Sequence, residues 1–216
     1  MSANLETAAR ISEFLLQIKA IKLQPHAPFT WASGIKSPIY CDNRQILSFP
    51  RVRTFVRLEL VKLIEENFGR PDVIAGVATG GIAVGVLTAQ DLGLPFIYVR
   101  PKAKDHGTGS QIEGHVESGQ SVIVVEDLVS TGKSSLMAVD VLREKGCTVK
   151  GMVSIFTYNL AEAADNFKQQ KCKLVPLSNY DALIKKAAET GYIKEADLKL
   201  LKEWKKDPTH WQQTVQ

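Results

Sequence analysis

The sequence predicts an α/β fold: a parallel sheet flanked by helices, with an extra segment ahead of it and a helical C-terminal tail. Residues 73–77 and 122–125 are short apolar runs, as expected for strands buried on both faces. Further strands are predicted at 96–99, 149–156 and 172–177, with stretches of helical period between strands. Strands alternating with helices from 72 to 177 imply right-handed crossovers between parallel neighbours. A length of 216 residues, 44% of them hydrophobic, suits one α/β domain with an appendage.

Taken in order, Leu5, Ala8, Ile11, Leu15 and Ile18 recur at helical spacing, so residues 4–21 read as an amphipathic helix. Residues 24–45 carry Pro25, Pro28, Gly34 and Pro38 and read as irregular. A second helix starts near Pro50, has Val52, Val56, Leu60, Leu63 and Ile64 on one face, and stops at Gly69. Thr79-Gly80-Gly81 breaks the first strand, and a helix over 82–92 ends at Gly93. Another helix, over Leu136, Val139 and Leu142, ends at Gly146, and residues 181–205 read as two short lysine-rich helices. The predicted division is 1–70, 71–178 and 179–216 within a single structural domain.

The 27 basic and 23 acidic residues give a net charge of +4. That mild excess suits a phosphate-bearing small substrate or nucleic acid without choosing between them. Cys41, Cys147 and Cys172 are too few and too scattered for a disulfide framework or a CxxC metal site. No signal peptide or membrane span is visible, so a cytoplasmic protein is expected.

Residues 121–135 carry the functional argument. An apolar strand runs into two adjacent carboxylates, Glu126 and Asp127. The small-residue loop Ser130-Thr-Gly-Lys-Ser134 follows, and a helix opens after it. Ligands of parallel sheets bind beyond the carboxyl ends of the strands. A helix N-terminus offers unpaired N–H groups to a phosphate. Ser130, Thr131 and Ser134 add hydroxyls, Gly132 permits close backbone approach, and vicinal ribose hydroxyls are natural partners for the acids. A nucleotide-triphosphate P-loop needs a glycine five positions before Gly132; Asp127 stands there. An ordinary strand-to-helix turn with a serine cap remains the plain alternative.

Val124-Val-Glu-Asp-Leu-Val-Ser-Thr-Gly-Lys-Ser134 resembles the phosphoribosyl-diphosphate signature of type I phosphoribosyltransferases. The resemblance implies that Glu126 and Asp127 hold ribose, and that the loop holds the 5-phosphate. The donor-binding set it implies includes Leu128, Val129, Ser130, Thr131, Gly132, Lys133 and Ser134. It adds Thr79 and Gly80, since Ala78-Thr-Gly-Gly81 is similar to the family's diphosphate loop.

From Arg100 onwards lie about twenty residues without a clear period, starting with Arg100, Lys102, Lys104 and His106. A positive loop beside a phosphate site suits a lid that excludes water and stabilises a leaving diphosphate. Arg100-Pro-Lys-Ala-Lys-Asp-His-Gly107 with Gln111-Ile-Glu-Gly114 resembles the catalytic loop of the orotate-using branch. The resemblance implies catalytic roles for Arg100, Lys104 and His106, and a homodimer in which each loop closes over the neighbouring subunit. Pro101 replaces a lysine found in some members. Residues 29–44 resemble the hood that covers the base, with Tyr40, Arg44 and Ser130 as orotate candidates. Ala32 replaces a common lysine, so a base contact there does not carry over.

The resemblance further implies transfer of ribose 5-phosphate to orotate, giving orotidine 5′-phosphate and diphosphate in pyrimidine biosynthesis. It implies Mg²⁺ held by substrate oxygens, with no direct protein ligand, and small-molecule partners with neither nucleic acid nor membrane. The rival readings are a purine-base transferase and a non-catalytic regulator that binds the phosphoribosyl donor.

Overall fold

The computed structural model describes residues 4–31, 34–102 and 110–211. Helix α1 (Leu5–Gln17) opens with Asn4 accepting a hydrogen bond from Thr7 N at 2.7 Å. It is shorter than its apolar period suggests, because Lys19 turns into the left-handed region (φ 59°). The chain then enters strand β1 (Ile21–Leu23). The stretch expected to be irregular is in fact paired. Strands β2 (Phe29–Thr30) and β3 (Lys36–Ser37) form one small antiparallel ladder; β4 (Ile39–Cys41) pairs with β1 in another. Strands of two or three residues are too short for alternation to mark them. A 3₁₀ turn, Asn43–Ser48, leads into α2 (Pro50–Phe68).

The main sheet uses β5 (Val73–Val77), β6 (Phe96–Val99), β7 (Ile112–Glu113), β8 (Ser121–Val129), β9 (Thr148–Thr157) and β10 (Leu174–Asn179). Between and after them lie α3 (Gly80–Leu92), α4 (Lys133–Glu144), α5 (Ala161–Gln169), α6 (Tyr180–Glu189) and α7 (Asp197–Lys206). The spatial order is β10-β9-β8-β5-β6-β7, and all neighbours are parallel except β6 and β7. The antiparallel edge β7 lies in the stretch that has no period of its own. Helix α5 is the other element the sequence pattern does not announce; it buries only Ala163 and Phe167.

Each central strand buries both faces. Ile74, Ile123, Val125 and Val153 join a cluster with α1, α2, α3, α6 and α7, whereas Val73, Ala75, Val122 and Val124 join one with α4 and α5. That division explains why the strands read as apolar runs rather than alternating ones. The first cluster runs from α1 through the sheet into the C-terminal tail. Trp204 of α7 is fully buried, with ring centroids 5.8 Å from Trp31, 5.9 Å from Tyr158 and 5.2 Å from Tyr180. Burying a ring of this size stabilises by roughly 3 kcal/mol. His26 Nε2 also lies 2.7 Å from Asp197 Oδ1 at the start of α7. The basic tail is thus packed beneath the β2–β3 hairpin. Among the described residues no helix is long and apolar enough to cross a membrane.

Candidate active site

Strand register brings the predicted segments together. Val77 of β5 pairs with Val99 of β6, and Gly76 pairs with Val125 of β8. The turn after β5, Arg100 after β6 and the acids of β8 therefore lie at one level, at the carboxyl ends of adjacent parallel strands. This is where α/β sheets bind ligands.

The acid pair does not end its strand. Strand β8 continues through Glu126 and Asp127 to Val129, paired with β9 up to Thr157. The two carboxylates stay close enough to interact: the charge of Asp127 and a side-chain hydrogen bond to it both act on Glu126. Glu126 points towards α4, is 5% exposed, and accepts hydrogen bonds from Ser135 Oγ at 2.9 Å and Asp127 N at 3.0 Å. Asp127 points towards α3, where a Cβ on Gly80 would overlap its carboxylate. The acids are adjacent as expected, with Asp127 against the Gly80 turn and Glu126 turned inward towards α4. Thr79 starts α3 without a side-chain cap, and the Ala78–Thr79 peptide bond is cis.

Burial, and secondarily the charge of Asp127, push the Glu126 carboxyl well above the usual range. A carboxyl raised in the folded state binds more protons there than in the unfolded chain. Its stability contribution is therefore greatest below the unfolded value and falls as pH rises through the folded one. Glu126→Gln should remove this dependence. Melting curves should show the variant gaining on the native protein from pH 5 to pH 8, by about 2–4 °C for each kcal/mol relieved. Parallel curves would refute ionisation of Glu126 as a cost.

The phosphate loop is tight. Gly132 has φ 81°, and a Cβ there would lie 2.6 Å from Phe167 Cε2. The glycine is therefore required by the turn and by α5 as well as by any approaching phosphate. Asn166 Nδ2 of α5 donates to Thr131 O at 2.9 Å. Helix α4 begins at Lys133, so Lys133 and Ser134 form its exposed first turn, and no side chain caps it. Lys133 Nζ sits 2.7 Å from Glu162 Oε1. Val129 is fully buried; its carbonyl accepts from Thr157 Oγ1 and Tyr158 N, while half-buried Leu128 packs against the larger cluster. Ser130 and Thr131 are half-buried.

Arg100 N donates to Gln111 O at 2.8 Å, and its Nη1 lies 3.5 Å from Glu113 Oε1. These contacts close the neck of the basic loop. Lys104 and His106 lie outside the described residues, as do Ala32 and Ser33. In the hood, Tyr40 is 41% exposed, with its ring 5.7 Å from Phe29 and Lys22 Nζ 5.9 Å from its centroid. Arg44 is exposed and its Nε donates to Asp42 Oδ1 at 2.6 Å, an interaction that lowers the Asp42 carboxyl. Lys36 Nζ donates to Thr30 Oγ1 at 2.7 Å within the hairpin.

A family profile described as "Phosphoribosyl transferase domain" matches residues 44–184. Orotate phosphoribosyltransferase of Phocaeicola vulgatus is 55% identical over 201 residues, covering 93% of this chain and 95% of its own. The chain belongs to the orotate phosphoribosyltransferases. The Listeria monocytogenes member is 52% identical over 202 residues, 94% of this chain and 97% of its own. The crystal structure of orotate phosphoribosyltransferase from Aeropyrum pernix superposes with a TM-score of 0.73 at 28% identity, over 85% of this chain and 99% of that one.

Sequence reasoning on the orotate phosphoribosyltransferase motifs missed three features of the site. The cis bond at Ala78–Thr79 has no proline to announce it. Phe167 reads only as a core residue, although it presses on Gly132. Asn43 is 1% exposed and reaches 84 positions along the chain to Asp127; its burial shows only in the fold, so the sequence carried no signal for it.

Proposed function

We propose that this protein transfers ribose 5-phosphate from 5-phosphoribosyl 1-diphosphate to N1 of orotate, giving orotidine 5′-phosphate and diphosphate. The observation that carries the reading is Asp127 packed on Gly80, with the same strand delivering Ser130–Gly132 to the start of α4. A carboxylate for ribose thus stands between two uncapped helix starts, one suited to each phosphate group of the donor. Asp127 accepts the ribose hydroxyls, the 130–134 loop holds the 5-phosphate, and the 79–80 turn receives the diphosphate.

The Asp127 carboxylate lies against the Gly80 turn, a hard oxygen group placed where an Mg²⁺ ion would arrive on the donor's own oxygens. When bound, the ion neutralises charge on the diphosphate. The chain needs no nucleophile. Its work is to position donor and base, to exclude water and to stabilise the departing diphosphate through Arg100, Lys104 and His106. Tyr40, Arg44 and Ser130 face orotate. We assign a cytoplasmic homodimer in which each basic loop serves the neighbouring site.

Protein mixed with Mg²⁺, orotate and the donor should consume orotate's ultraviolet absorbance in proportion to enzyme. Turnover with a purine base and none with orotate would overturn the base assignment while sparing the donor site.

A further inference from the structure

We propose that Asn43 is a positioning residue that couples the hood to Asp127, and so links the base half of the site to the donor half. The inference rests on the reaction proposed above. Asn43 Nδ2 donates to Asp127 O at 2.7 Å, and Cys41 Sγ donates to Asn43 Oδ1 at 3.3 Å. A carbonyl only accepts, so the amide nitrogen must face Asp127. Burial first, then the charges of Asp127 and Asp42, raise the Cys41 thiol well above its ordinary value. It therefore stays protonated and supplies the donor that the amide oxygen requires.

This relay joins elements that are otherwise separate in the chain. Cys41 belongs to β4, whose register to β1 sets the hood. Asp127 lies within β8, and its carboxylate touches the Gly80 turn. Any shift of the hood over the base is transmitted through one amide to the main chain of the ribose-binding acid. Both ends of the Asn43 amide are engaged by protein atoms, Cys41 Sγ and Asp127 O, so it acts through Asp127. A short, neutral, two-ended side chain is what the place demands, because a carboxylate there would oppose the nearby Asp42 and Asp127.

The test compares Asn43→Ala, Asn43→Leu and Cys41→Ala. Asn43→Leu keeps the volume and loses the donor without adding charge, which guards against a packing defect in the alanine variant. Calorimetry of donor binding with Mg²⁺ alone, and steady-state kinetics with both substrates, provide the readouts. Both Asn43 variants should lose about tenfold in donor affinity and in kcat/KM for the donor. KM for orotate should rise as well, and melting temperatures should stay within a few degrees. Cys41→Ala leaves the amide on Asp127 and should change donor affinity by less than about twofold. Unchanged donor affinity in both Asn43 variants would overturn the proposal, as would losses that only track melting temperature. A native protein that binds the donor but ignores orotate would refute the base assignment alone, since the calorimetric comparison would still report on Asn43.

Discussion

Gly80→Ala is expected to lower kcat/KM for the phosphoribosyl donor about 100-fold, because a misplacement on the order of 1 Å at a reacting site costs that much. A Cβ at this position overlaps both oxygens and Cγ of Asp127. Asp127 has a short side chain on a paired strand, and its main-chain carbonyl is held by Asn43. It has little freedom to retreat, so either the carboxylate leaves the ribose position or the 79–80 turn lifts away. The overpacking should also cost about 1–3 kcal/mol of stability. A double-mutant cycle checks the cause: the thermal penalty of Gly80→Ala should shrink when Asp127 is already alanine. Equal penalties in both backgrounds would mean that the two residues do not press on each other.

Lys104→Ala is expected to reduce kcat by about 10²–10³, the usual loss when one preorganised charge on a developing anion is removed. Diphosphate leaves as the sugar carbon gains positive character, so negative charge develops on the leaving oxygens. The neck of the loop is anchored by Val99 paired with Ile112 and by Arg100 bonded to Gln111. That neck stands at the level of the Gly80 turn, where the diphosphate is proposed to bind. Replacing a lone lysine in a polar stretch of sequence removes no core-forming side chain, so the melting temperature should be nearly unchanged, equivalent to about 0.5 kcal/mol or less. Lys104→Arg should recover part of the rate. Normal turnover in the alanine variant would remove the loop from the mechanism.

Much of this site was legible because its chemistry is local. Ser130, Thr131, Gly132 and Ser134 follow one strand and open one helix, so chain order alone places them together. The acids were legible as a pair but not as two directions. The sequence reads as a strand that ends in the two acids, whereas β8 runs on past them to Val129. The extension depends on β9 remaining beside it through Val129↔Thr157, and pairing partners are not written in a strand's own residues. The hood shows the same limit. Residues 24–45 carry Pro25, Pro28, Gly34 and Pro38, and the β4 ladder exists only because β1, from an earlier part of the chain, supplies its partner.

The sequence by itself determined the parallel core, the helix stops at Gly69, Gly93 and Gly146, and the order acid pair, hydroxyl loop, helix start. Each depends on local period, backbone restriction or the chemistry of adjacent side chains. Only the tertiary structure decided that Glu126 turns inward and Asp127 faces Gly80. It alone decided that Phe167 makes Gly132 obligatory, that Trp204 lies under Trp31, and that Asn43 ties the hood to β8. Those contacts join residues 35 to 173 positions apart, and they form only when the packed sheet brings distant segments within a few ångströms of each other.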